Sequence, residues 1–208
     1  MSSKASKWMV LPAAVLMLGT VALAQDSSQN PAPTKPEVAQ RKENQQDRIA
    51  NGVKSGQLTA GETANLESKE AAINGETRAD RVANGGKLTT AEKQQINKQQ
   101  NQLSKQIYQD KHNANTQHYG NNEVDQRREN QQDRIANGIK SGQLTAGEAA
   151  KAENQQRAIN QQVHADRQAN GGKLTQGEKQ QINKEQNAAS KNIYDKKHNN
   201  KTQGGTKR

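Results

Sequence analysis

The chain contains no cysteine and no phenylalanine, and its only tryptophan is Trp8. Without thiols there is no disulfide framework, no cysteine nucleophile and no attachment point for a lipid anchor, so stability has to come from helix formation and packing. Aromatic side chains are nearly missing beyond residue 24, where Tyr108, Tyr119 and Tyr194 form the complete set. Large aliphatic residues are scarce too, 20 in the 184 residues from 25 to 208, a fraction that by composition alone suggests disorder. So little apolar surface can hardly line a shaped, water-excluding cavity. No G-x-S-x-G occurs, and Ser55, Ser104, Ser141 and Ser190 sit beside glycine or lysine with no readable His–carboxylate partner. The chain therefore reads as non-enzymatic, with no cofactor implied.

What is present begins with a three-part start. Lys4 and Lys7 flank the entry to an apolar stretch, Trp8 to Leu23, and Ala22-Leu23-Ala24 offers the small residues a signal peptidase needs. At 16 residues and interrupted by Pro12, the stretch is shorter than the roughly 20 that span a bilayer. Residues 1–24 are thus expected to be a signal peptide cleaved after Ala24, leaving a periplasmic or secreted chain without a membrane span. Residues 25–36 hold three of the four prolines among Ser, Asn and Gln and read as a flexible linker. Loss of Lys4 and Lys7 leaves 29 basic against 21 acidic residues, a net charge of +8.

The rest of the chain is written twice. Residues 37–113 and 123–199 align without a gap at an offset of 86, with 54 of 77 positions identical. Between them, 114–122 reads as a linker, and 200–208, with three basic residues and no apolar side chain, as a disordered tail.

Within each copy the pattern G-x-L-T-x-x-E occurs twice. Thr followed three residues later by Glu is a capping box, each side chain satisfying the other's backbone N–H. Thr59, Thr89, Thr145 and Thr175 are the expected N-caps, and the glycines before them end the preceding helices. These boundaries predict helices over 37–54, 60–83, 90–113, 123–140, 146–169 and 176–199. The expected fold is all-α: two tandem three-helix repeats, each a small up-down-up array with EF-hand-like turns, between disordered ends.

Apolar residues recur at helical spacing, as in Ile49 and Val53 or Ile96, Leu103 and Ile107, but the stripes are narrow. Copy two carries Ala152, Gln168 and Ala189 where copy one has Leu66, Val82 and Leu103. At roughly 1.5–3 kcal/mol per buried large aliphatic side chain, the second copy should be the looser one. The intervening Gln, Asn, Lys and Glu read as surface, and self-association is a plausible way to cover such thin stripes.

Three groups of residues invite a chemical role. With Gly56 at loop position 6, residues 51–62 resemble the second half of a calcium-binding EF-hand, ending in Glu62. Glu92, Glu148 and Glu178 end the other loops, so these four glutamates are the metal candidates. Positions 1, 3 and 5 are Asn51, Val53 and Ser55, however, where calcium needs several oxygen ligands, and the capping box explains each glutamate without metal. Tyr108 with His112, and Tyr194 with His198, place ring and imidazole four residues apart on one helix face. Their simplest role is to close the bundle's end and complement the helix dipole. Finally, the basic balance would attract polyanions of the envelope. Interleaved acids and missing aromatics argue against nucleic acid.

The string "RIANGVKSGQLTAGE", followed downstream by "INKQQNQLSKQIYQDKHN", resembles a group of small exported bacterial helical-repeat proteins built on R-I-x-x-G-x-x-S-G-x-L-T-x-x-E. No activity attaches to that group. The resemblance implies export and helical repeats and carries no functional residue across. On sequence alone the protein is a non-enzymatic structural or interaction protein of the bacterial cell envelope, its partner an unspecified protein or polyanionic envelope component. Weak divalent-cation binding and polyanion binding are the alternatives.

Overall fold

Helices start where a side chain satisfies their first orphan N–H groups. In the computed structural model, which describes residues 37–204, Thr59 Oγ1 accepts the Glu62 N–H at 3.3 Å while Glu62 Oε2 accepts the Thr59 N–H at 2.9 Å. The same reciprocal pair forms at Thr89/Glu92, Thr145/Glu148 and Thr175/Glu178. The helices are α1 Glu37–Lys54, α2 Ala60–Ala83, α3 Thr90–Lys111, α4 Glu123–Ser141, α5 Ala146–Ala169 and α6 Gln176–Lys197. Among the described residues there is no strand, so the protein is all-α. The expected signal peptide, residues 1–24, the linker 25–36 and the last four residues of the expected tail lie outside the described residues.

The α1–α2 and α4–α5 turns depend on glycine for two separate reasons. Gly56 and Gly142 have φ of +70° and +71°, a conformation that costs other residues free energy. Gly52 and Gly138 lie inside helices, where an added Cβ would meet Leu58 Cδ1 at 2.6 Å and Leu144 Cδ1 at 2.7 Å. The leucine after each turn therefore folds back onto bare helix backbone. Leu58 and Leu144 are 1% and 0% exposed as a result.

The most extensive interhelix contacts run between the two sequence copies, α2 against α5 and α1 against α4. α3 flanks α1 and α2, and α6 flanks α4 and α5. One hydrophobic cluster extends through both copies, from Ile49, Leu66 and Ile107 to Ile135, Leu144 and Ile193. A smaller one gathers Val124, Ile159, Val163, Ile182 and Ala189. The thin stripes are thus covered from within the chain, and Val82, Tyr108 and Tyr194 are the exposed large hydrophobic side chains among the described residues. Val82 being 79% exposed, its replacement by Gln168 removes nothing from the core.

Glutamine is a core residue here, contrary to its expected place on the surface. Gln45 donates to the Gln100 carbonyl and Ser104 Oγ at 2.7 and 2.9 Å, and Gln131 repeats this on Gln186 and Ser190 at 2.7 and 2.8 Å. Gln100 and Gln186 return bonds to the Val38 and Val124 carbonyls at 2.9 and 2.8 Å. These buried amides pin α1 to α3 and α4 to α6. Their N–H donors find partners, each bond adding net stability of roughly 1 kcal/mol, while the Oε1 atoms of Gln45, Gln100 and Gln186 are buried without a partner and set a desolvation cost against that gain.

The segments read as linker and disordered tail are straps. After α3 the chain crosses the α1–α2 turn, where the Gln117 N–H donates to the Gly56 carbonyl at 2.8 Å. After α6 it crosses the α4–α5 turn, where the Gln203 N–H donates to the Gly142 carbonyl at 2.9 Å. Gln203 is 7% exposed, and its side-chain oxygen accepts the Ala146 N–H at the start of α5. The duplication accordingly runs past 113 and 199, through Thr116-Gln117 and Thr202-Gln203.

Candidate functional site

The four loop glutamates spend their oxygens on N–H donors. Glu62 Oε1 accepts from Asn113 and Asn115 at 2.7 and 3.2 Å, and Glu148 Oε1 accepts from Asn199 at 2.7 Å. Glu92 and Glu178 take the Asn84 and Asn170 amides, each at 2.8 Å. Burial alone would raise the Glu62 carboxyl, yet these bonds and the Thr59 N–H hold it below its ordinary value. At Glu92 the Thr89 N–H is the leading cause of the same lowering. A lone pair facing an N–H is not facing a cation, and no group of three metal-ligating side chains assembles among the described residues.

Each Tyr/His pair is a stacked aromatic couple on the surface. Ring centroids lie 4.2 Å apart for Tyr108/His112 and 4.1 Å for Tyr194/His198, and each imidazole Nδ1 meets the carbonyl of its own tyrosine at 2.7 or 2.8 Å. The imidazoles sit at the helix C-caps, as the dipole argument requires. The tyrosines, 59% and 56% exposed, do not close the bundle's end.

Three carboxyl groups are buried where α2 meets α5. Glu67, Glu70 and Glu153 are each 0% exposed. Gln46 donates to Glu67 at 3.1 Å and Gln132 to Glu153 at 2.8 Å. Burial pushes Glu153 up to about 8 and Glu70 up to about 7, the latter opposed by Lys42 and Asn74. Burial is also the leading cause at Glu67, which rises further because Glu70 and Glu153 are near. Burial thus favours the protonated form of all three carboxyls. Periodicity did not single these residues out, since Glu and Gln count equally as surface types.

Above the Glu70 region opens a cleft of about 860 Å³, between α1, the C-terminal half of α2, the start of α5 and the second strap. Lys42, Arg78, Arg81 and Lys201 line it, and no carboxylate does among the described residues. None of the four makes an ion pair with a carboxylate among the described residues. Burial pushes the Lys42 ammonium down; Glu70 pulls it up, and Arg81 and Arg78 push it down again. Thr145, Ala146 and Gly147 bring the positive end of α5 to the same wall.

A different arrangement occupies the corresponding place 86 residues on. Asp125, 2% exposed, accepts from Arg128 at 2.7 Å and from Arg167 at 2.8 Å. Burial would raise its carboxyl, but Arg167, Asn122 and Arg128 hold it below its ordinary value. Arg128 lies over the Tyr119 ring at 5.0 Å, a cation–π contact worth roughly 1 kcal/mol. Here the guanidiniums meet an internal acid and tyrosine, beside a smaller cleft of about 560 Å³ that Asp125, Arg167, Lys173 and Lys179 help to line. Comparison with known proteins finds no family model, no curated protein and no solved structure that matches the chain.

Proposed function

We propose that the protein is a non-enzymatic, exported interaction protein of the bacterial cell envelope, and that its cleft binds a polyanionic envelope component. In this reading it consists of two tandem three-helix repeats fused face to face, with the cations neutralised by Asp125 on one side and lacking such an acid among the described residues on the other. The carrying observation is the cleft itself, with four cations, a helix N-terminus and no lining carboxylate among the described residues. Clustering like charge raises the local potential and selects a partner of opposite sign. A cation ligand would instead need converging oxygens, and the loop glutamates are committed to capping.

Retention on immobilised heparin at low salt tests the reading. Binding should collapse with modest salt, since exposed charges are screened beyond about 8 Å at physiological ionic strength. Combined Lys42→Gln, Arg78→Gln and Arg81→Gln changes should abolish retention. Wild-type protein that flows through, or a triple variant that still binds, would refute the proposal.

A further inference from the structure

Five residues of the cleft have counterparts 86 positions away around Asp125: Lys42 and Arg128, Asn74 and Asn160, Arg81 and Arg167, Gly86 and Gly172, Gln203 and Gln117. On the Asp125 side one carboxylate bridges both guanidiniums, and Asn122 adds a bond at 2.6 Å. The residue matching Asp125 is Ala39, and the one matching Tyr119 is Gly205 in the sequence. Among the described residues the cleft therefore has the cations of the cluster without the acid that stands at position 125.

Resting on the polyanion reading above, we infer that the cleft takes a carboxylate in the place Asp125 occupies on the other side, and that this carboxylate belongs to a uronate-bearing saccharide. Two cations converging on one planar anion are a carboxylate-binding geometry that the chain itself demonstrates. Beyond the cations the described lining offers hydroxyl, amide and glycine backbone groups, with Thr202 and Asn74 among them, and Val82 as its one large apolar side chain. Such a wall gives a polyhydroxylated ring donors and acceptors and gives peptide side chains no apolar pocket. Glu70, buried behind Lys42, is the carboxyl that α2 turns toward this cation.

The test is calorimetric titration of the protein with an oligogalacturonate, its methyl ester, a sulfated dextran oligomer and an oligoglutamate. The oligogalacturonate should bind once per chain, and the uncharged ester at least tenfold more weakly. Ala39→Asp, which installs the internal acid, should lower the affinity at least tenfold while helical circular dichroism and melting stay as in wild type. Arg81→Gln provides the same loss by removing a cation, should Ala39→Asp disturb folding. Equal binding of the ester, preference for the oligoglutamate, or wild-type affinity in both variants would overturn the inference. Sulfated dextran binding as tightly and with the same Arg81 dependence would overturn the carboxylate assignment and leave the polyanion reading standing. Failure of every anion to bind would overturn both.

Discussion

Raising the pH from 5 to 9 should destabilise this protein progressively, because burial at its α2–α5 interface raises the carboxyls of Glu67, Glu70 and Glu153. Glu153 rises from the ordinary 4.5 to about 8, and Glu70 from 4.5 to about 7, with Glu67 raised as well. A raised acid means the folded state binds a proton that the unfolded chain has released. The stabilisation is complete below 4.5 and is lost as pH climbs through the folded values, so the window runs from about 4.5 to about 8. Every tenfold gain in proton affinity on folding corresponds to about 1.4 kcal/mol, which gives on the order of 5 kcal/mol for Glu153 and 3 kcal/mol for Glu70 across the window. Both are a substantial share of the roughly 5–15 kcal/mol that holds a domain folded.

Urea unfolding followed by circular dichroism at half-unit pH steps measures this directly. With a slope of roughly 2 kcal/mol per molar urea, the midpoint should fall by more than 1 M between pH 5 and pH 8. Glu153→Gln keeps an oxygen for the Gln132 amide and cannot ionise, so its midpoint should fall less steeply and overtake wild type near pH 8. The capping glutamates are held below their ordinary value and so titrate beneath this window. A flat wild-type midpoint from pH 5 to 8, or the same slope in Glu153→Gln, would refute the reasoning.

Other consequences are simpler to read. Gly138→Ala should destabilise by about 1–3 kcal/mol through overpacking, because the new methyl would meet Leu144 at 2.7 Å; a melting temperature at or above wild type would contradict it. Thr145→Ala removes a capping box and should cost about 1 kcal/mol in urea titration. Gln203→Ala leaves the Ala146 N–H without its acceptor, so amide exchange at Ala146 should accelerate while Ala60 in the first copy stays unchanged. Millimolar calcium should leave the Gly56 and Gly142 amide resonances in place, since Glu62 and Glu148 are occupied by N–H donors.

Local signals were legible because they are local. The Thr59/Glu62 box needs four consecutive residues and nothing else, so α2 begins where the sequence says. The straps were not, although Thr116-Gln117 and Thr202-Gln203 repeat at the same offset of 86: a segment with too few apolar residues to repeat shows no periodicity, and its ordering depends on a carbonyl at Gly56 or Gly142 about 60 residues earlier. Buried glutamine escaped for a related reason. Gln45 and Gln94 are the same residue type on helices of similar composition, and only the arrival of α3 on α1 buries the first. The Asp125 cluster needs Arg167, 42 residues away, and no pattern in the sequence joins them.

Differences between the copies in the middle helix read as surface drift until α2 and α5 are seen to pack on each other. Positions 63, 66, 70 and 77 are buried, as are their counterparts 149, 152, 156 and 163. Two identical helices facing each other would bring Glu70 and a second glutamate at 156 to an interface that already holds Glu67 and Glu153. Four buried acids at one contact would repel and carry a large desolvation cost. Gln156 removes one of them and donates to Gln131 at 3.2 Å instead. Packing follows the same logic, with Leu66 on one helix and Ala152 on the other entering one hydrophobic cluster. Once the faces differ, the flanking sides are free to differ as well, and with Ala39 at the position matching Asp125 only one of the two cation clusters carries its own acid. The duplication thus supplies two copies of a cation cluster, one of which the chain saturates with Asp125 while the other, on the reading proposed above, takes its anion from a ligand.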